Sequence, residues 1–230
     1  VIVLPHGVDP QIYHPCSPEE RRQIRQQLGW GDRFIFFHVG AMTGNKAIDL
    51  LLKAFAAVVQ RYPEAHLVLK GMDYLSNSRE LVMAATQILS SQEAEKTLER
   101  VIYLGDPLPF ADMAQLYQAA DAYVSPYLAE GFNMPVLEAI ACGLPVICTS
   151  GGATDDFTRP EFALRIDSTP QAVELGEGLV GTGLVPNYDH LVALMHSVIA
   201  HPEIGKQARE AGPQFVANHF TWKHTVDKLL

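Results

Sequence analysis

The chain has 230 residues, of which 48 % are hydrophobic and 19 % charged, and its formal net charge at pH 7 is −9. This composition is typical of a folded globular protein and excludes a disordered or collagen-like chain. The acidic balance disfavours a broad nucleic-acid-binding face, which needs clustered Lys and Arg, so no nucleic acid is expected as a partner.

The three cysteines, Cys16, Cys142 and Cys148, are too few and too irregularly spaced for a disulfide framework or a zinc site. They indicate a reducing compartment. No apolar stretch is long enough to span a membrane and no signal peptide is visible, so we expect a cytoplasmic protein. The chain begins without Met, in a strand-like run, which predicts that it is part of a longer protein.

Short β-branched runs alternate with amphipathic segments after residue 30. The strands are predicted at 34–39, 66–71, 101–104, 122–125, 145–148 and 163–166. The helices are predicted with an apolar stripe over 48–59, then at 79–100, 111–120 and 134–142, with two more from Asp189, broken near His201 and Pro202. This alternation predicts a doubly wound, Rossmann-like α/β fold with a parallel sheet. Residues 1–18 are predicted as an opening strand and connector, and 19–230 as one domain.

Several familiar motifs are excluded. The run Gly40–Lys46 has one residue too few between its glycines for a P-loop, and Ala47 replaces the Ser or Thr that binds magnesium. No G-x-G-x-x-G follows a strand, so a dinucleotide site is not indicated. The nine histidines show no repeated metal-ligand spacing. The chemistry must therefore come from another segment.

The informative segment is the loop and helix start over 125–139. In an open parallel sheet, ligands bind at the carboxyl ends of strands, and one strand is predicted to end at Ser125. Gly131 allows the backbone to approach a ligand closely, and Pro135 is typical of the start of a helix. The N–H groups of such a helix end, together with its dipole, attract an anion such as a phosphate.

Glu130 and Glu138 lie on either side of this predicted anion site, and Lys46 follows the first strand of the sheet. Carboxylates repel phosphate, so each glutamate is expected to contact hydroxyl groups on one side of it. Lys46 can reach a diphosphate as a point charge. The alternative is a structural turn, in which Glu138 stabilises the first helical turn and Lys46 is a solvated loop residue.

At these residues the chain resembles the donor-binding, C-terminal half of retaining glycosyltransferases of the GT-B fold, family 4. The resemblance covers nearly the whole chain, and its motifs occur in order. They are 4–9, Val39-Gly40 with Lys46, 103–105, 116–121, Glu130-Gly131-Phe132 to Glu138-Ala139, 141–146 and 220–222.

The resemblance implies a role for each matching position. Glu138 would bind the donor ribose, and Tyr103 and Gly105 would lie near the base. Glu130, on which catalysis depends, would hold hydroxyls of the transferred sugar. The amides of Gly131, Phe132 and Asn133 would also bind the sugar. The diphosphate would be bound by Lys46 together with the amides of Val136 and Leu137. Two carboxyl partners on opposite faces of the sugar are not evident, so we prefer this role for Glu130 over that of a nucleophile.

The implied reaction is transfer of a hexose from a nucleotide-diphosphate sugar with retention of configuration and no cofactor or obligatory metal. The acceptor, a glycan, lipid or protein, would bind an N-terminal domain that precedes this chain, and any peripheral contact with a membrane is expected through that half. The chain departs from the family pattern at Ala41, where an Arg is usual, and at Asn133, where Gly is frequent. The loop 151–156 either covers the sugar or is a plain flexible loop.

Two other functions remain open from the sequence. Without the usual Arg, the chain could be a non-catalytic module that binds a nucleotide sugar. It could also be a purely structural α/β partner domain. Binding of nucleoside diphosphates separates the last alternative from the other two.

Overall fold

The computed structural model describes residues 3–174 and 180–230. Its centre is a parallel six-stranded sheet in the order β3-β2-β1-β4-β5-β6. The strands are β1 Ile35–Val39, β2 His66–Lys70, β3 Val101–Leu104, β4 Ala122–Ser125, β5 Val146–Thr149 and β6 Ala163–Ile166. All six predicted strands are confirmed, and most of their residues are apolar, as is typical of strands covered on both faces. The strand order reverses between β1 and β4, where doubly wound folds bind their ligands.

Helices cover both faces of this sheet. They are α1 Pro18–Gln27, α2 Ile48–Arg61, α3 Ser78–Ala85, α4 Ser91–Leu98, α5 Phe110–Ala119, α6 Met134–Ala141, α7 Tyr188–Ala200, α8 Pro202–His219 and α9 Trp222–Leu229. The predicted doubly wound, Rossmann-like α/β fold is therefore confirmed. The segment predicted as one helix over 79–100 is instead two helices, because Ser90 and Glu93 form a capping box that starts α4.

Two elements were not predicted. Helix α1 begins at a capping box formed by Ser17 and Glu20. An antiparallel hairpin, β7 Ser168–Glu174 and β8 Val180–Pro186, lies outside the main sheet. Val1 and Ile2 of the predicted opening strand lie outside the described residues, while Val3 and Leu4 are exposed and belong to no described strand.

The core has two layers, one on each face of the sheet. Phe37, Tyr117 and Tyr123 lie in the layer under α5, α6 and α8. Phe36 and Leu51 lie in the layer under α2 and α7. Full burial of one such side chain stabilises the fold by roughly 1.5–3 kcal/mol. These layers fix the strands, so the loops at their carboxyl ends start from rigid positions. Among the described residues, no helix combines the length and apolarity that crossing a membrane requires.

Candidate active site

The loops after β1 and β4 meet at the carboxyl edge of the sheet. Lys46 ends a short 3-10 turn over Gly44–Lys46, and Glu130 lies between β4 and α6. The Lys46 Nζ and a carboxylate oxygen of Glu130 form an ion pair, and these side chains are only 16 % and 11 % exposed. Two side chains predicted to bind different parts of one ligand are thus in direct contact with each other.

Backbone contacts hold these two loops together. The Leu128 N–H donates a hydrogen bond to the Asn45 carbonyl (2.7 Å), and the Asn45 side-chain amide donates to the Ala129 carbonyl (3.1 Å). On its other side, the Leu128 carbonyl accepts from the N–H of Leu184 in β8 (2.7 Å). The hairpin therefore supports the loop that carries Glu130, a role that the sequence did not reveal.

The backbone conformation at Asn133 favours Asn or Gly. This residue precedes α6 with φ 71° and ψ 61°, in the left-handed region. Its side-chain amide donates to the Ser125 hydroxyl (3.0 Å), and both groups are buried. Gly and Asn adopt this backbone conformation most readily, so Asn here keeps the geometry that Gly would give.

We expect Asn133→Ala to destabilise the chain more than Asn133→Gly, by about 1–2 kcal/mol, because only Ala adds the strain of a Cβ in the left-handed region. Both variants lose the hydrogen bond to Ser125, so the pair isolates the backbone term. Urea unfolding of both variants measures the difference. Equal destabilisation would contradict the conformational explanation.

The residues around Asn133 differ in how far the fold itself requires them. Phe132 stacks on Phe157 with ring centroids 4.8 Å apart. Gly131 is exposed, and a Cβ placed there would meet nothing within 4 Å in the described part of the chain. The described part of the fold therefore does not require glycine at this position, and contact of Gly131 with a sugar stays a prediction.

Helix α6 begins where the sequence predicts, at Met134. Of the two amides predicted to face a phosphate, the Val136 N–H donates to the Asn133 carbonyl at 3.0 Å. Val136 and Leu137 are both buried. A phosphate would have to share or replace this bond at Val136, so the role of both amides stays a prediction.

Glu138 lies on α6, and its carboxylate contacts Tyr117 of α5 beside the hydrophobic core. Its carboxylate accepts a hydrogen bond from the Tyr117 hydroxyl at 2.7 Å. Burial raises the pKa of Glu138, while the hydroxyls of Tyr117 and Tyr13 act in the opposite direction. A carboxylate kept in this partly desolvated position interacts strongly with a hydroxyl group. The two tyrosines come from distant segments, and the sequence did not point to them.

The predicted base-binding region is also fixed by a carboxylate. The Tyr103 hydroxyl donates to Asp73 (2.5 Å), and the Arg79 guanidinium lies 4.6 Å from the Tyr103 ring centroid. Burial and this hydrogen bond raise the pKa of Tyr103 to about 12. A Cβ at Gly105 would lie 1.9 Å from a carboxylate oxygen of Asp73, so glycine at this position leaves room for Asp73 to bind Tyr103. Proximity of Tyr103 and Gly105 to a base stays a prediction.

Ala41, next to Gly40, has no charged side chain, but hydrogen bonds fix the position of its backbone carbonyl. The Ala41 carbonyl accepts hydrogen bonds from the hydroxyls of Ser78 (2.9 Å) and Ser76 (3.2 Å). Beneath it, His38 is fully buried with Nδ1 at 2.7 Å from the Val124 carbonyl, and burial lowers the pKa of His38 to about 4. His38 is therefore neutral at pH 7 and does not replace the missing arginine.

The loop after β5 contains defined local structure. Residues 153–156 form a short 3-10 helix, and Thr154 is buried with its hydroxyl 2.9 Å from that of Tyr127. The Gly151 N–H donates to Asp155 at 2.9 Å. Whether this loop covers a sugar stays a prediction.

These features define a doubly wound α/β domain whose carboxyl edge, at the reversal of strand order, carries a lysine, two glutamates and a helix N-terminus. The sequence profile described as "Glycosyl transferases group 1" matches residues 33–174. The chain belongs to this family of glycosyltransferases, and its predicted resemblance to enzymes of the GT-B fold is confirmed.

Comparison with known proteins agrees with this assignment. The chain is 29 % identical to D-inositol 3-phosphate glycosyltransferase of Nocardiopsis dassonvillei over 100 % of the chain and 49 % of the relative. Its fold matches sucrose-phosphate synthase of Thermosynechococcus elongatus with a TM-score of 0.77 at 23 % identity, over 98 % of this chain and 50 % of the other. It also matches the Anabaena protein HepE, solved with UDP-glucose, with a TM-score of 0.72 at 22 % identity, over 96 % and 53 %. The chain thus spans about half the length of these proteins.

Proposed function

We propose that this chain is the donor-binding half of a retaining glycosyltransferase that moves a hexose from a nucleotide-diphosphate sugar to an acceptor. The observation that carries the proposal is the contact between Lys46 and Glu130, which lies in the loop leading into the N-terminal end of α6. Glu138, on the same helix, supplies a second carboxylate. The named relatives support the same reaction class.

The diphosphate would bind between Lys46 and the first turn of α6, with no cofactor and no obligatory metal. The ammonium would leave Glu130 for the diphosphate, and a hydrogen bond to a charged group contributes about 1.5–3 kcal/mol. The helix dipole adds positive potential at the same place. Both contacts strengthen as the bond to the sugar breaks and negative charge collects on the departing diphosphate.

The sugar and the ribose would lie on opposite sides of the diphosphate. The Glu130 carboxylate would then accept hydrogen bonds from sugar hydroxyls. The amides of Gly131, Phe132 and Asn133 would donate hydrogen bonds to sugar oxygens. Glu138 would bind the ribose, with the base near Tyr103 and Gly105. Such contacts position the sugar carbon for attack, which is the main contribution open to a protein in this reaction.

The acceptor, a glycan, lipid or protein, would bind an N-terminal domain of the same protein. In this proposal the protein is cytoplasmic, and any peripheral membrane contact is made through that domain. The second candidate, a binding module without activity, is favoured by one observation, the uncharged Ala41 where the family usually has Arg.

We expect the 230-residue chain to bind a nucleoside diphosphate but not to transfer sugar, because the acceptor face lies in the other domain. Titration calorimetry with UDP and GDP tests binding, and a radiolabelled-sugar assay tests transfer by the chain and by the full-length protein. Transfer by the full-length protein alone supports the enzyme. Binding with no transfer by either protein would favour the inactive module, and multiple turnovers by the chain alone would contradict the division of labour.

A further inference from the structure

One buried cation near the site has no role in the function described so far. Lys70 is the last residue of β2 and is only 4 % exposed. Its Nζ donates a hydrogen bond to the Gly71 carbonyl at 2.6 Å. No carboxylate lies within 4 Å of this ammonium among the residues that the structure describes. Burying an ammonium without an ion-pair partner is unfavourable, so its presence calls for a reason.

The hydrogen bond to Gly71 places the ammonium at the carboxyl edge of the sheet. Gly71 is the first residue beyond β2, so the Lys70 side chain bends past the end of its own strand. In the sheet register Lys70 lies between Val39 of β1 and Leu104 of β3. The Gly71 N–H donates to the Leu104 carbonyl at 2.9 Å, which fixes this end of β2 against β3.

The surroundings assign the ammonium to the base end of the predicted ligand and not to the diphosphate end. The acidic groups that attract it are Asp73 and Asp106, which follow β2 and β3. Asp73 also binds Tyr103 and lies against Gly105, the two residues predicted to be near the base. At the diphosphate end, Lys46 is already the partner of Glu130.

An ammonium group donates three hydrogen bonds and accepts none. One is used on Gly71, so the group can still donate to an acceptor that a ligand brings. We propose that Lys70 selects the base of the donor by donating a hydrogen bond to the carbonyl oxygen at C4 of uracil or C6 of guanine, so that cytosine and adenine, which carry an amino group at that position, are rejected.

This inference rests on the proposed function and adds the class of base to it. Uracil and cytosine differ at one exocyclic position, where uracil has a carbonyl oxygen and cytosine an amino group. Guanine and adenine differ there in the same sense, and adenine has no carbonyl oxygen at all. An amino group facing the ammonium would bring two donors together, and sites built to pair with one polar group reject analogues that lack it. Burial also lowers the pKa of Lys70.

The test is the binding of four nucleoside diphosphates to the 230-residue chain, measured by titration calorimetry. Comparing UDP with CDP and GDP with ADP cancels the size of the base within each pair. We expect UDP to bind at least about ten-fold more tightly than CDP, or GDP than ADP, whichever pair fits, a difference of about 1.4 kcal/mol. If none of the four binds, the proposed function itself fails. If the nucleotides bind without this preference, only the inference about Lys70 is overturned.

The Lys70→Met variant separates recognition from a structural role, because Met has a similar length and no charge. We expect it to bind UDP and CDP, or GDP and ADP, with nearly equal affinity, while its melting temperature does not fall. Lys96→Met, an exposed lysine on α4, is the matched control and should keep the preference. A preference that survives in Lys70→Met would overturn the proposal. If Lys70→Met does not fold, Lys70→Gln takes its place, with the same loss of preference expected.

Discussion

Replacing Lys46 with Met should weaken binding of UDP or GDP to the chain by about 10- to 100-fold. This range follows from the 1.5–3 kcal/mol of a hydrogen bond to a charged group, at about 1.4 kcal/mol for each factor of ten. With Ala41 beside Gly40, no second cation stands at the usual family position, so the effect of Lys46 is not shared there. The measurement is titration calorimetry, and Lys96→Met is the charge-matched control.

The ion pair between Lys46 and Glu130 predicts that substitution of Glu130 has the opposite effect on binding. Glu130 holds the ammonium that the diphosphate must recruit, so Glu130→Gln should tighten binding of the bare nucleoside diphosphate. A fully solvent-exposed pair contributes about 0.2–1 kcal/mol, and this pair is largely buried, so an increase of at least a few-fold is expected. From the sequence alone, in which Glu130 touches only the sugar, no change would be expected.

A double-mutant cycle tests this competition. In the Lys46→Met background there is no ammonium to release, so Glu130→Gln should no longer tighten binding. Glu130→Gln should not give the same gain with the corresponding nucleotide sugar, UDP-glucose or GDP-mannose. The ratio of the affinity for the nucleotide sugar to the affinity for the bare diphosphate should therefore be lower in this variant than in the parent chain. If Lys46→Met leaves the affinity for the diphosphate unchanged, the ligand binds elsewhere. If the gain from Glu130→Gln persists in the double variant, the two side chains do not compete through their ion pair.

The parallel sheet could be predicted because each strand is a short apolar run, and this signal does not depend on distant residues. The hairpin could not. Strand β7 contains Pro170 and alternates with polar residues such as Thr169 and Gln171, and Pro within a run argues against a strand. In the described sheets its two strands pair only with each other and not with the six-stranded sheet. The sequence therefore lacks the apolar pattern that marks a strand buried in the core.

The site shows the same limit at the level of side chains. The positions of Lys46 and Glu130 after β1 and β4 already predicted that both lie at one edge of the sheet. Their direct contact depends on the hydrogen bonds between Asn45 and the loop at Leu128, which join residues more than eighty positions apart. Local periodicity carries no information on such pairs. Tyr117 is a similar case. Helical spacing marks it as a core residue, but its hydroxyl donates a hydrogen bond to Glu138.

Glu138 gives the second large effect, in which binding and stability change in opposite directions. Glu138→Gln replaces a charged acceptor with a neutral one, so a ribose hydroxyl loses about 1–2 kcal/mol, the difference between hydrogen bonds to charged and neutral groups. The bare nucleoside diphosphate and the nucleotide sugar both contain the ribose, so both should bind about 5- to 30-fold more weakly. Glu130→Gln should not show this parallel loss, and Glu95→Gln, an exposed residue on α4, is the matched control.

Stability should change the other way. Burial raises the folded-state pKa of Glu138 above its unfolded value, so the folded chain binds the proton more readily than the unfolded chain. At neutral pH the buried charge therefore lowers the free energy of unfolding, and this cost disappears as the pH falls through the folded-state pKa. Glu138→Gln carries no such charge and keeps an oxygen for Tyr117. It should be more stable than the parent chain at neutral pH, with the difference closing on acidification in urea unfolding experiments. A variant that is less stable at neutral pH would show that the carboxylate is retained for packing and not for the ligand.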